Sequence, residues 1–214
     1  MSAPVALRPP HSRHLIRWLL GILVPLLVVG FLAEDVLERE RFAFETPLME
    51  WIHAHAAPWL TGLSLGLHTF GGPWVMTVLA VALPLGLWLR GRHQQALFAL
   101  LGLGSAVGIA FAMKLIFNRP RPELWTRLVS ENGASFPSGH SAMAAALGTA
   151  LCVLLWRTPY RWPVVALATV YVLLSGVARL VLGLHFPTDV LAGWMTGLAC
   201  VLGAARLTGL PRPR

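Results

Sequence analysis

Long apolar runs separated by short polar or charged breaks set the pattern of this chain. A helix crossing the hydrocarbon of a bilayer needs roughly 20 mostly apolar residues, with about 17 as the lower end. Runs of that kind lie at about 14–33, 73–90, 94–117, 140–156, 162–182 and 188–206. They predict an all-α fold, an integral membrane bundle of six transmembrane helices forming one domain over 1–214. The breaks are Arg90-Gly91-Arg92-His93, the polar segment 118–139, Arg157-Thr158-Pro159-Tyr160-Arg161, and the turn from Gly183 to Pro187. Residues 34–50 are acidic and mixed. Residues 51–72 set Trp51, His53, His55, Trp59 and His68 among short apolar pieces, which predicts an interfacial helix on the outer face with tryptophans at headgroup depth. The first run follows Arg8, Arg13 and Arg17 as a signal peptide would. Gly30-Phe31-Leu32-Ala33 lacks the small-x-small cleavage pattern, so a retained anchor is expected. Gly104 with Gly108, and Gly193 with Gly197, have the four-residue spacing that lets membrane helices approach closely.

Composition agrees with the pattern. Of the 214 residues 56% are hydrophobic and 12% charged, against about 25% charged in soluble domains. The net charge of +8 comes from basic residues scattered singly or in pairs, with no basic stripe interleaved with aromatics, so nucleic acid is not an expected partner. Cys152 and Cys200 lie inside apolar runs as small buried side chains rather than a disulfide or metal pair. With six spans both termini share a side, and that side holds Arg8, Arg13, Arg17, Arg90, Arg92, Arg157, Arg161, Arg206, Arg212 and Arg214 without an acid. The positive-inside bias therefore predicts cytoplasmic termini.

The exceptions to that bias carry the chemistry. The outer side holds Lys114, the sole lysine, with Arg119, Arg121, Arg127 and Arg179. Lys114 and Arg179 lie near the ends of apolar runs, where a cation costs at least ~2.5–3.5 kcal/mol on insertion scales. Several cations on one face without matching acids suggest an anion arriving from outside. Three outer segments line up: Lys114 to Pro122 leaving the third span, Pro137-Ser138-Gly139-His140 at the start of the fourth, and Arg179 to Asp189 joining the fifth to the sixth. A helix that begins at Ser138-Gly139 presents unpartnered N–H groups and the positive end of its dipole to an anion, although Ser-Gly at such a place is also an ordinary cap. Together these segments fit phosphoryl transfer. Arginine forks and amide N–H groups cradle phosphate oxygens. His185 is the candidate nucleophile, Asp189 four residues on would hold its other ring nitrogen, and His140 would protonate the leaving oxygen and then deprotonate water.

These segments resemble the signature of the type 2 phosphatidic acid phosphatase superfamily, which also includes vanadium-dependent haloperoxidases. Its pattern is Lys-x6-Arg-Pro, then Pro-Ser-Gly-His, then Ser-Arg-x5-His-x3-Asp. Lys114 to Arg121-Pro122 matches the first, Pro137 to His140 the second, and Arg179, His185 and Asp189 the third, with Ala178 in place of the serine. The resemblance implies that His185 is the nucleophile, Asp189 its orienting partner and His140 the general acid. It likewise implies that Lys114, Arg121, Ser138, Gly139 and Arg179 bind the phosphate, and that no metal and no cofactor is needed. Arg119 falls inside the first motif without an assigned role. The implied activity is hydrolysis of a lipid phosphate such as phosphatidylglycerophosphate, phosphatidic acid or a polyprenyl diphosphate at the outer face of a bacterial inner membrane. A lipid phosphotransferase would use the same residues, and a non-catalytic lipid-binding or transport protein could keep the fold. Of the remaining features, His53, His55 and His68 are expected as interfacial aromatics rather than a metal site. Trp125 and Arg127 border a lipid entrance or anchor at the interface, and Glu123 and Glu131 are expected as solvated loop charges.

Overall fold

A computed structural model of the chain describes residues 12–39 and 42–210. Arg8, Arg212 and Arg214 of the orientation argument lie outside the described residues, as do Glu40 and Arg41. Eight helices follow in order: α1 Ser12–Leu37, α2 Glu45–His55, α3 Pro58–Phe70, α4 Pro73–Leu89, α5 His93–Phe117, α6 Gly139–Leu155, α7 Arg161–Val181 and α8 Pro187–Leu207. Among the described residues there is no strand. Prolines at the first positions of α3, α4 and α8 start those helices where a missing N–H costs nothing. Asn118, in the left-handed region with φ 41°, ends α5 ahead of Pro120.

The predicted runs match α1 and α4 to α8 within a few residues, and the segment 51–72 differs. In place of one interfacial helix, α2 and α3 meet at Ala56-Ala57, where Pro58 opens a new helix. Among the described residues four stretches are long and apolar enough to cross a membrane unaided: Leu20–Leu37, His93–Phe117, Arg161–Val181 and Pro187–Leu207. A fifth counts only if α3 and α4, bent by 53°, are taken as one broken span, and α6 at 17 residues falls just short. By length and composition alone, four or five crossings qualify among the described residues, and the six predicted runs all form helices. Large apolar side chains stand outward on α1, α4, α5 and α7, among them Phe31, Leu79, Leu115 and Leu167. Such a belt is what lipid tails cover. The protein is an integral membrane protein.

The centre of the bundle is α6. Its Ala142, Ala144, Ala145, Ala146 and Ala150 are buried, and α5, α7 and α8 pack around it. Small side chains allow this enclosure. Of the two glycine pairs, Gly104 and Gly108 face open space, whereas Gly193 and Gly197 of α8 lie directly on α6. A Cβ on Gly193 would meet the Ser138 carbonyl oxygen at 2.5 Å and Ser141 Cβ at 3.0 Å. This contact seats the start of α6 against α8. Gly193→Ala is therefore expected to destabilise the protein by ~1–3 kcal/mol, as overpacking does, measured as a lower thermal midpoint in detergent.

Candidate active site

Three segments far apart in sequence meet at one end of the bundle. Lys114, in the last turn of α5, donates from Nζ to the Ala134 carbonyl at 2.5 Å. Arg121, in the α5–α6 loop, donates from Nε to the Gly133 carbonyl at 3.0 Å and from Nη1 to the Leu184 carbonyl at 2.9 Å. The same Nη1 lies 3.1 Å from His185 Nε2. A guanidinium carries donors only, so this contact suits the tautomer with the lone pair on Nε2 and the ring proton on Nδ1. His185 Nδ1 faces Asp189 Oδ2 at 3.6 Å, longer than a hydrogen bond, and has no closer partner. Burial pulls the Arg121 guanidinium below its ordinary pKa, while Glu131 and Asp189 push it back up; it remains a cation at neutral pH.

The α6 terminus is built on Ser138. Its hydroxyl accepts from the Ser141 N–H at 3.3 Å and the Ser141 hydroxyl at 3.0 Å, and its own N–H donates to the Asp189 carbonyl at 2.9 Å. The hydroxyl is thus engaged in capping, whereas Gly139 and His140 line the adjoining cavity. Arg179 is fully buried; its Nη1 contacts His68 Nδ1 at 2.9 Å, while Nε and Nη2 have no hydrogen-bond partner. Buried unsatisfied donors are costly, and an anion with several oxygens would satisfy them.

Glu131 corrects the expectation of a solvated loop charge. Its side chain is 16% exposed and sits among the cations. One carboxylate oxygen lies 3.0 Å from Arg121 Nη1 and 3.6 Å from His185 Nε2. The other lies 3.3 Å from Arg179, 3.4 Å from His68 and 3.5 Å from His140. The two candidate catalytic imidazoles therefore face one another across a single carboxylate. Burial raises the Glu131 pKa, but contact with His185 and the charges of His140, His185 and Arg121 outweigh it and hold the carboxyl far below the usual range. At neutral pH it is a full negative charge lying between groups suited to phosphate oxygens. Glu123, by contrast, is exposed as expected.

His68 is a second correction. It belongs to the site, stacked on His140 with ring centroids 5.6 Å apart. His53 and His55 keep aromatic roles, the first stacked on Trp125 at 4.1 Å and the second on Trp51 at 4.7 Å. Trp125 also lies over Gly183, whose φ is +67° and where a Cβ would stand 2.9 Å from the indole nitrogen. It therefore covers the turn before His185. Ligand atoms of His68, Glu131 and His140 lie within 4.8 Å of one another, a spacing open to a metal ion. The Arg179 guanidinium reaches two of the same atoms, so a cation there would meet a positive charge. Nothing in the sequence marked Glu131 or His68, because neither has a fixed spacing to the motif residues it meets.

A cavity of about 780 Å³ opens onto this cluster. Lys114, Arg121, His140 and His185 are among the residues lining it at one end, and Met76, Val107, Ala110, Phe111, Leu115 and Met143 among its apolar lining. A sequence model described as the PAP2 superfamily matches residues 95–211. The chain belongs to the PAP2 superfamily. Phosphatidylglycerophosphatase B of Bacillus subtilis is 32% identical over 146 residues, covering 66% of this chain and 71% of its own. Undecaprenyl-diphosphatase BcrC of the same organism is 30% identical over 136 residues, covering 60% of this chain and 67% of its own. The crystal structure of a transmembrane PAP2-type phosphatidylglycerolphosphate phosphatase from Bacillus subtilis superimposes with a TM-score of 0.77 and 26% identity, covering 91% of this chain and 100% of that one. That of Aquifex aeolicus LpxE gives 0.64 at 25% identity, covering 77% and 96%.

Glu131→Gln removes a charge that competes for the cationic cluster. It is expected to tighten binding of inorganic phosphate by about tenfold or more, since a hydrogen bond to a charged group contributes ~1.5–3 kcal/mol. Calorimetric titration in detergent measures this, and an unchanged or weaker affinity would show that carboxylate and phosphate do not share a place.

Proposed function

We propose that this PAP2 protein is a membrane lipid phosphatase that hydrolyses a phosphate monoester or diphosphate of an amphiphile through a phosphohistidine. One observation carries the reading: a single cavity passes from apolar side chains of α4, α5 and α6 to a cationic end with three histidines. Such a cavity suits a molecule with a hydrocarbon body and an anionic head. The names of the curated relatives support phosphatidylglycerophosphate and undecaprenyl diphosphate as substrate types.

His185 Nε2, which holds the lone pair, attacks phosphorus while the bond from phosphorus to the leaving oxygen breaks. His140 gives that oxygen its proton. Lys114, Arg121, Arg179 and the amide groups at Gly139 stabilise the charge spread over the phosphoryl oxygens. Asp189 holds the Nδ1 proton of His185 in place as the ring becomes cationic. Water then attacks the phosphohistidine, His140 takes its proton, and inorganic phosphate leaves with the histidine lone pair restored. Glu131 withdraws from the cluster as the phosphate enters.

The protein acts as one membrane-embedded domain over 1–214 in a bacterial inner membrane. We place α1 and α4 to α8 across the bilayer, α2 and α3 at the outer face, and both termini in the cytoplasm. Support comes from the arginines on the inner side, Arg90, Arg92, Arg157, Arg161 and Arg206. In intact spheroplasts, a short-chain lipid phosphate added outside is expected to be hydrolysed by wild-type protein and not by a folded His185→Asn variant. Undiminished hydrolysis by the variant would refute the nucleophile, and hydrolysis only after lysis would refute the orientation.

Val107 lines the cavity and is 47% exposed, so a larger side chain there blocks space without disturbing the core. Val107→Trp is expected to raise KM for a long-chain lipid phosphate several-fold while leaving p-nitrophenyl phosphate turnover unchanged. An equal effect on both substrates would separate the apolar part of the cavity from substrate binding.

A further inference from the structure

Behind Asp189 lies a second charged network, separate from the Glu131 cluster. Arg119 donates from Nη1 to Asp189 Oδ1 at 2.6 Å and to the Thr188 hydroxyl at 2.9 Å, and from Nη2 to Glu45 Oε2 at 2.7 Å. Glu45 Oε1 accepts from the Thr188 hydroxyl at 2.5 Å and from the Thr188 N–H at 3.3 Å. The Arg119 guanidinium lies over the Phe186 ring, 4.3 Å from its centroid. Glu45 is 2%, Arg119 8% and Asp189 0% exposed. Three elements distant in sequence meet here: the first residue of α2, the α5–α6 loop and the first turn of α8.

We infer that Glu45 and Arg119 are positioning residues which, through Asp189, fix the imidazole of His185 and its charge during phosphoryl transfer. The inference rests on the phosphatase reading above. Geometry gives the first reason. Asp189 Oδ2 is held by the Phe186 N–H at 2.8 Å and Oδ1 by Arg119, so both oxygens are pinned and Oδ2 is the one that faces His185 Nδ1. Without Arg119 the carboxylate could rotate away. Charge gives the second. Arg119 alone would cancel the negative charge of Asp189, and a neutral pair does little for a cationic ring. Glu45 restores a net charge of −1 to the set of two carboxylates and one guanidinium. Forming a bond from Nε2 to phosphorus while Nδ1 keeps its proton places positive charge on the ring, and in a buried site that negative excess counts strongly. A network serving only to join helices would need the contacts but not the sign of the sum.

Glu45→Gln keeps the shape and removes the charge. It is expected to lower kcat for a lipid phosphate roughly 10–100-fold, the scale seen for outer partners of functional histidines, with KM changed by less than about twofold. Because Glu45 acts through Asp189, the same substitution in an Asp189→Asn background is expected to cost nothing further. An equal loss in both backgrounds, or no loss in kcat, would overturn the inference. Thr188→Val, which removes the hydroxyl between Glu45 and Arg119, is the second variant should Glu45→Gln fail to fold; a smaller kcat loss with the same dependence on Asp189 supports the inference, and an independent loss overturns it. Ring 15N shifts of labelled histidine read the tautomer without turnover. Wild-type His185 is expected to carry its proton on Nδ1 and Glu45→Gln to shift the Nδ1 resonance as the charge behind Asp189 falls; unchanged ring shifts overturn the inference. Wild-type protein inactive on every lipid phosphate would instead sink the phosphatase reading, which the tautomer measurement leaves distinguishable.

Discussion

Positive charge held at the end of an apolar bundle needs negative charge beside it, and most of the local architecture follows from how that need is met. Lys114, Arg121 and Arg179 cannot be left unpaired where burial weakens solvation. Two acids answer them in different ways. Glu131, on the long α5–α6 loop, enters the cluster and contacts Arg121, Arg179 and three imidazoles at 3.0–3.6 Å. Asp189, at the start of α8, stands behind His185 and is shared with Arg119 and, through it, Glu45. In the proposed mechanism the first arrangement gives way to an incoming anion and the second stays in place.

That division explains why the helix ends are built as they are. A carboxylate that must stay fixed sits on a helix first turn, accepts its own N-cap amide and is clamped by a guanidinium. A carboxylate that must yield sits on a loop with no helix to hold it. The Ser138 N–H bonded to the Asp189 carbonyl ties the α6 terminus to the same first turn, so the amide end of one helix is joined to the turn that carries the carboxylate of another. Gly193, with no side chain to intervene, makes that approach possible.

Helices α2 and α3 both reach the site. Glu45 begins α2 and closes the network behind Asp189; His68 lies near the end of α3 and stacks on His140. Trp125, held between His53 and Gly183, joins α2 to the turn preceding His185. The segment that the hydropathy pattern left least defined thus touches both histidines of the proposed mechanism, directly or through one neighbour.

The helices, their approximate ends and the three motif segments were legible in the sequence because each depends on local rules: apolar length, proline at a helix start, fixed spacing of functional groups. Lys114, Arg121, His140, Arg179, His185 and Asp189 could be named from spacing alone, and the structure brings them to one end of the bundle. Glu131, His68 and Glu45 could not, since each meets its partners at sequence separations of 9 to 143 positions with no periodic relation to them. The Ser138 hydroxyl, a phosphate ligand by motif, caps α6 with its oxygen and keeps its own proton to donate. Composition and pattern determined that this chain is a membrane helical bundle carrying phosphate-handling residues. Only the packing of α2, α3 and the α5–α6 loop decided which carboxylates lie beside them, because charge pairing in a buried site depends on distance in space.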